Sequence, residues 1–319
     1  MFASGHRGVH LTEGDSVGWF GRRPKAAQPV DRVEWVVATA RQAFAQRGVE
    51  STIEHGPAPE DVTLFADGRR FPLYNLLVKT DGLTLSEAEK VIDAHVRSLA
   101  HEPSIFDPTP DELRSMIRTR LISNQNVRPD EPSFDYARPF ADGVVVALCL
   151  DLPETVQTIS DAGIATAGWD LDELYRWGQE NTDRESVDER DVLETGVHIL
   201  AGESFFVASK ATNLPRAVPV TEFGTVFAIP HRHMLLALPL SRRDPVDGIH
   251  HVAAIMQRIV RDPLPGGLIS RDLFFARDGL VSRVSETDAE GTVSLLVDGP
   301  FQSALEEVVE GDSSEGVSG

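Results

Sequence analysis

The sequence predicts an α+β fold, in which small helix–strand units pack helices on mostly antiparallel sheets. Three observations carry this expectation. Apolar residues recur with the 3.6-residue period in five separate segments, each opened by a capping residue. Apolar runs of strand length fall between them in clusters, without the strict alternation of a parallel α/β sheet. The chain has 319 residues and is 41% apolar, enough to bury a sizeable core.

In chain order, residues 1–30 read as a flexible lead, Gly-rich and polar, with Trp19 and Phe20 standing out. Asp31 and Glu34 form a capping-box pattern, followed by Val33, Val36, Val37, Ala40 and Phe44 on one face and Gly48 as a stop. Val62–Phe65, a turn at Asp67-Gly68 and an extended run from Phe71 to Val78 read as a hairpin. Pro72 confines its strand to an edge or a strand start, because proline cannot donate to a ladder. Ser86 with Glu89 opens a second helix. Thr109-Pro110-Asp111-Glu112 opens a third, carried by a stripe of Leu113, Met116, Ile117 and Leu121. Val144–Leu150 is the most apolar short run and reads as a central strand that buries Cys149, the single cysteine. Asp170 with Glu173 opens a fourth helix, and Asp244-Pro245 a fifth. His198–Leu200 and Phe205–Ala208 read as a hairpin. Thr225–Ile229 and Met234–Leu238 read as strands flanking His231-Arg232-His233, and Leu273–Phe275, Val281–Val284 and Val293–Val297 as shorter ones.

These elements divide into an N-terminal unit at 31–103, a middle unit at 104–185 and a C-terminal unit at 195–302. An acidic linker at 186–194 joins the last two, and residues 303–319 read as an acidic disordered tail.

Charge narrows the function classes. The chain carries 30 basic and 50 acidic side chains, a formal net charge of −20. Such a chain repels a phosphate backbone and an anionic membrane surface, so neither nucleic acid nor membrane is expected as a partner. No apolar stretch of spanning length exists, and the N-terminus lacks the apolar region of a secretory signal. One cysteine allows neither an internal disulfide nor a thiolate zinc cage, and the expected setting is the reducing cytoplasm. GxGxxG, GxxxxGK[ST], HExxH and GxSxG are all absent, and no cofactor is expected.

Three clusters are candidates for function. His231-Arg232-His233 lies in a tight turn, where two imidazoles at i and i+2 point the same way. They read as a polar turn or as acid–base groups; with no third ligand evident, no metal site is assigned. Arg114 and Arg118 stand one helical turn apart with Arg120 close by. They could grip a carboxylate or phosphate, or pair with the protein's own acids. Residues 170–194 hold ten carboxylates against three arginines. Asp183, Glu185, Asp188, Glu189 and Asp191 there, with Trp19 and Phe20, are candidate contacts for a partner.

Several short motifs occur in a set order: Phe71-Pro72-Leu73-Tyr74-Asn75-Leu76, Arg118-Thr119-Arg120-Leu121-Ile122-Ser123, Arg138-Pro139-Phe140 and Asp151-Leu152-Pro153-Glu154-Thr155. Trp177-Gly178-Gln179-Glu180-Asn181 and Ala228-Ile229-Pro230 before Met234-Leu235-Leu236 complete the set. Their order resembles the YtpQ-like family of bacterial proteins of unknown function. The resemblance covers roughly residues 31–285 and departs in two ways, by the extra N-terminal lead and at His233, where an acidic residue is expected. It implies a fold type and a bacterial, cytosolic setting, and no mechanism.

The expected function is therefore a non-catalytic interaction module, such as an adaptor, a chaperone-like protein or an inhibitor, with an acidic surface for a basic partner. Two alternatives stay open: an enzyme using the His231-Arg232-His233 turn, and a small-anion sensor using Arg114 and Arg118.

Overall fold

Helix α1 (Arg32–Ala45) begins at its expected cap, where the Asp31 carboxylate accepts from the N–H groups of Val33 and Glu34. The computed structural model describes residues 31–56, 61–66, 69–100, 109–124, 133–152, 156–242, 245–261, 264, 267–288 and 292–315. Trp19, Phe20, the Asp67-Gly68 turn and Asp244 lie outside them.

Strands β1 (Ser51–His55), β2 (Val62–Ala66) and β3 (Arg69–Pro72) follow α1 as an antiparallel sheet in that order, which puts Pro72 on an edge. The expected strand stops there. Tyr74–Thr80 forms helix α2, because its continuous apolar run has no period of two and Leu73, Leu76 and Thr80 bury one helical face. Helix α3 (Leu85–Ala100) is capped two residues earlier than expected: Thr84 Oγ1 accepts from Glu87 N, and Thr84 N and Oγ1 both donate to Glu87 Oε2. Val36, Ala40, Phe44, Leu64, Leu76 and Ile92 centre a core that belongs to this unit alone.

Helix α4 (Pro110–Met116) carries the Thr109–Glu112 capping box but ends at Met116. The chain continues as strand β4 (Ile117–Ser123), so the expected helical stripe breaks at Ile117. In the stretch Ile117-Arg118-Thr119-Arg120-Leu121 the two arginines alternate with uncharged residues, and buried alternates with half-buried. Strands β5 (Arg138–Ala141), β6 (Val144–Asp151) and β7 (Val156–Thr158) follow. β6 is central, with β4 on one side and β5 and β7 on the other. Helix α5 (Asp161–Ala167) leads to α6 (Leu171–Arg184), capped by Asp170 as expected.

Helix α6 seals the outer edge of β4. The Thr119 N–H donates to Thr182 Oγ1 (3.0 Å), the Thr182 hydroxyl donates to Thr119 O (3.0 Å), and Asn181 Nδ2 donates to Ile117 O (2.9 Å). Gly178 allows the approach, since a Cβ there would stand 3.1 Å from the backbone of Arg118 and Thr119.

The C-terminal sheet has the order β13-β12-β10-β11-β9-β8. Its strands are β8 (Glu189–Val192), β9 (His198–Ala201), β10 (Thr225–Ala228), β11 (Met234–Pro239), β12 (Leu273–Arg277) and β13 (Leu280–Arg283). Residues 189–192, expected in a linker, thus form an exposed edge strand, because Glu189–Val192 pairs with Ala201–His198. Phe205–Ala208 is not a strand; a 3-10 helix over Ala208–Asn213 leads into α7 (Leu214–Ala217). Helix α8 (Pro245–Ile259) packs on the sheet, and β14 (Ser285–Thr287) pairs with β15 (Val293–Leu295). The expected tail is instead helix α9 (Gly299–Glu315), which buries Phe301, Ala304 and Val308 and stacks Phe301 on Phe275 at 5.3 Å between centroids.

One sheet face buries Val226, Leu236, Leu238 and Phe275 beneath α8 and α9. The other packs Phe227, Leu235 and Phe274 together with Leu121 and Val144, so the middle and C-terminal units share a core. Every strand pair among the described residues is antiparallel. Among the described residues, no helix is long and apolar enough to cross a membrane.

Candidate functional site

Strands β10 and β11 meet in a turn in which the Met234 N–H donates to His231 O (3.0 Å). The other carbonyls of the turn are engaged too. Pro230 O accepts from Ile269 N (2.9 Å), Arg232 O from Ala208 N (3.1 Å) and His233 O from Gly202 N (3.2 Å). A backbone held on all these sides fixes where its side chains project.

His233 Nε2 accepts from Arg232 Nε (3.0 Å), and its Nδ1 lies 3.1 Å from Gly202 O. This pattern assigns the proton to Nδ1. His231 is buried, and its Nδ1 accepts from the His233 N–H (3.3 Å). The Phe205 ring packs on His233 and lies 4.2 Å from the Arg232 guanidinium carbon. Burial, reinforced by the charge of Arg232, pushes both imidazoles down to about 4, so both are neutral at pH 7.

Arg120 and Lys79 are coupled electrostatically to Arg232 of this turn. Arg120 projects from β4 with its Nε buried and without a hydrogen-bond partner. Burial depresses its pKa, and its charge in turn weakens the basicity of Arg232 and His233. Burial first, then the charge of Arg232, lowers the pKa of Lys79, near the end of α2. Beside Lys79, burial and that ammonium hold His95 on α3 at about 4. Among the described residues, Lys79, Arg120 and Arg232 form no ion pair with any acid.

The other arginines are spent elsewhere. Arg118 is on a strand, so it shares no helix face with Arg114; its Nε donates to Glu185 Oε1 (2.8 Å), and Asp151 lies 3.5 Å away. Arg114 is exposed on α4, 5.6 Å over the Trp177 ring. Strand geometry places Arg118 and Arg120 on one face of β4, one neutralised and one not.

The acidic candidates divide in the same way. Asp183 accepts from Gln179 and Asn213, Glu185 holds Arg118 and Ser204, and Asp188 accepts from the Glu203 N–H. Asp188, Glu189 and Asp191 are the exposed ones of the five, the last two on β8. Lys79 and His95 escaped the sequence reading, since nothing in the sequence links them to a turn at residue 232. Lys210 escaped it too. It lies buried with its ammonium donating to Thr182 O and Asp183 O at the end of α6, and a lysine within the short side chains of Ala208–Ala211 was its one signal.

The arrangement suits binding better than proton transfer. Both ring nitrogens of His233 are engaged, and among the described residues no carboxylate orients either imidazole. Among the described residues, no group of three or more His, Cys, Asp or Glu could hold a metal ion. Compared with known proteins, the chain matches no family model, no curated protein and no solved structure.

Proposed function

We propose that this protein binds a small oxyanion among Lys79, Arg120 and Arg232, acting as an anion sensor rather than as an enzyme. The observation that carries the reading is Arg120: its Nε is buried with no hydrogen-bond partner, and its charge bears on Arg232. A buried N–H without a partner costs about 1–3 kcal/mol, and a bound anion would supply one. Of the three arginines expected to bind an anion, Arg114, Arg118 and Arg120, this reading keeps Arg120. The cytosolic, bacterial setting and the kinship with the YtpQ-like family belong to this proposal and add no ligand to it.

Thermal unfolding of the purified chain in inorganic phosphate, sulfate and chloride tests the reading. Phosphate or sulfate should raise the melting temperature, by the equivalent of about 2.7 kcal/mol at a hundred times Kd. Arg120→Met should melt higher than wild type without oxyanion and lose the response to it, because the uncompensated charge is gone. An Arg120→Met protein that is less stable, together with a wild type indifferent to every oxyanion, would overturn the reading.

A second reading is favoured by β8, an edge strand that presents Asp191 and an exposed Val192 (62%). A basic protein partner docking there fits the adaptor or inhibitor role. Its capture should weaken with salt and be lost in Asp191→Lys; capture indifferent to both would count against it.

A further inference from the structure

We infer that the outer edge of β8 is the docking site of a segment of the chain itself, residues 19–25, held there as an added strand that a basic partner has to displace. The inference rests on the second reading above, from which it takes the β8 surface, and it names the edge's resident occupant. Strand β8 closes the six-stranded sheet, with β9 on one side and, among the described residues, nothing on the other. All four of its residues are exposed, and a strand presented in this way is a template for another. Its charge is one-sided. Arg190 is turned back, its Nη1 donating to Ala217 O (3.0 Å). Asp191 and the nearby Glu194 are exposed and, among the described residues, pair with no cation.

Charge selects the occupant. A second copy of β8 is a poor match. In a twofold antiparallel pair, directly opposed side chains share a face, so the pair can centre only on a residue opposite its own copy. Centred on Arg190, it sets Arg190 against Arg190 and Glu189 against Asp191; centred on Asp191, it sets Asp191 against Asp191. Both registers oppose like charges. Residues 1–30 carry the other sign. Arg7, Arg22, Arg23 and Lys25 against Glu13 and Asp15 give them a net +2 in a chain of −20. Arg22, Arg23 and Lys25 stand with no acid among them, directly after Trp19-Phe20-Gly21. Trp19 to Arg23 suffices for a short strand, and Pro24 ends it at a place where its missing N–H costs nothing. The two aromatics supply apolar surface for Val192, and the basic side chains supply charge for Asp191 and Glu194. The described chain starts at Asp31, eight residues after Arg23, a tether of about 26–29 Å when extended. A tethered segment acts at millimolar effective concentration, so a weak strand is enough to hold the edge.

The test uses the full chain, a lead-reversed variant (Arg22→Glu with Arg23→Glu) and a fluorescein-labelled peptide of residues 17–26 as the probe. Fluorescence anisotropy reads peptide binding, and hydrogen exchange reads the backbone amides of Glu189–Val192. The lead-reversed chain should bind the peptide at least about tenfold more tightly than wild type, whose edge is already occupied. Its β8 amides should exchange at least about tenfold faster at low salt, and the peptide should restore their protection. Adding Asp191→Lys and Glu194→Lys to the lead-reversed chain should abolish peptide binding and recover the wild-type exchange rate, because both sides of the contact are then swapped. A peptide that binds wild type and the lead-reversed chain equally, and is lost from both with Asp191→Lys, would overturn self-occupancy and leave the second reading standing. No peptide binding by the lead-reversed chain would overturn residues 19–25 as the occupant. Protection of β8 that fades on dilution would assign the edge to the lead of a neighbouring copy and overturn the contact within one chain.

Discussion

Arg118 Nε donates to Glu185 Oε1 across 2.8 Å, tying strand β4 to the residue that closes helix α6. Both side chains are mostly buried, and Glu185 also accepts from the Ser204 hydroxyl (3.0 Å). Truncating Glu185 therefore strands a guanidinium and a hydroxyl together. Glu185→Ala should lower the unfolding free energy by about 2–4 kcal/mol in urea titrations. A loss below about 0.5 kcal/mol would show that Asp151 alone satisfies Arg118.

The contact of α6 with β4 is close enough to measure through one methyl group. Gly178→Ala places a Cβ against the backbone of Arg118 and Thr119 at 3.1 Å, in a place with no room to yield. It should cost about 1–3 kcal/mol, although alanine is the better helix former. Thr182→Val keeps the shape and removes all three hydrogen bonds to Thr119, with an expected cost of about 1–3 kcal/mol. An unchanged Gly178→Ala would mean that the helix slides freely on the strand.

How far the sequence could be read follows from the same residues. Caps were legible because they are local: Asp31, Thr109 and Asp170 act within three residues of themselves. The break at Ile117 was not, because Leu113, Met116, Ile117 and Leu121 fit a helical stripe as well as the end of a helix followed by an alternating strand. Tertiary pairing of β4 with β6 decides between them. Residues 186–194 look like linker by charge, yet a strand in that region needs only an edge to pair with, and charge on an edge strand is ordinary protection. The acidic C-terminal stretch hid Phe301, Ala304 and Val308, three apolar residues at helical spacing. The His-Arg-His turn was visible as a motif, whereas its company of Lys79, His95 and Arg120 comes from three separate elements and leaves no trace in sequence order.

The imidazoles of the turn make stability depend on pH. His231 and His233 titrate at about 4 when folded and near 6.5 when unfolded, so between these values the unfolded chain holds more protons. Their contribution is complete above pH 6.5, is lost as pH falls towards 4, and changes no further below it. Each site contributes at most about 1.4 kcal/mol per pH unit within that window. Asp151 and Asp272, both raised by burial, act in the opposite direction. Urea unfolding at pH 7, 6 and 5 should show the decline, and His231→Gln with His233→Gln should lessen it, leaving the share of His95, which is also held at about 4; equal slopes in both proteins would refute the assignment.

Cys149 should be chemically silent. It is fully buried on β6, and burial pushes its thiol up to about 12. A thiol-specific disulfide reagent at pH 8 should leave the native protein unlabelled for hours and label it rapidly in denaturant. Prompt labelling of the native protein would mean that β6 opens readily to solvent.

The sealing of β4 also sets a timetable for biosynthesis. Thr182 lies 63 residues after Thr119, and the Leu121 N–H waits for the hydroxyl of Ser209, 88 residues downstream. At roughly 5–20 residues per second, a ribosome takes about 3–12 s to deliver the first of these partners after β4 has been made. For that interval the nascent chain carries an open sheet edge able to pair with a neighbour on the same polysome. Slowing translation between codons 123 and 182 should therefore lower the soluble yield, even though the finished protein is unaltered.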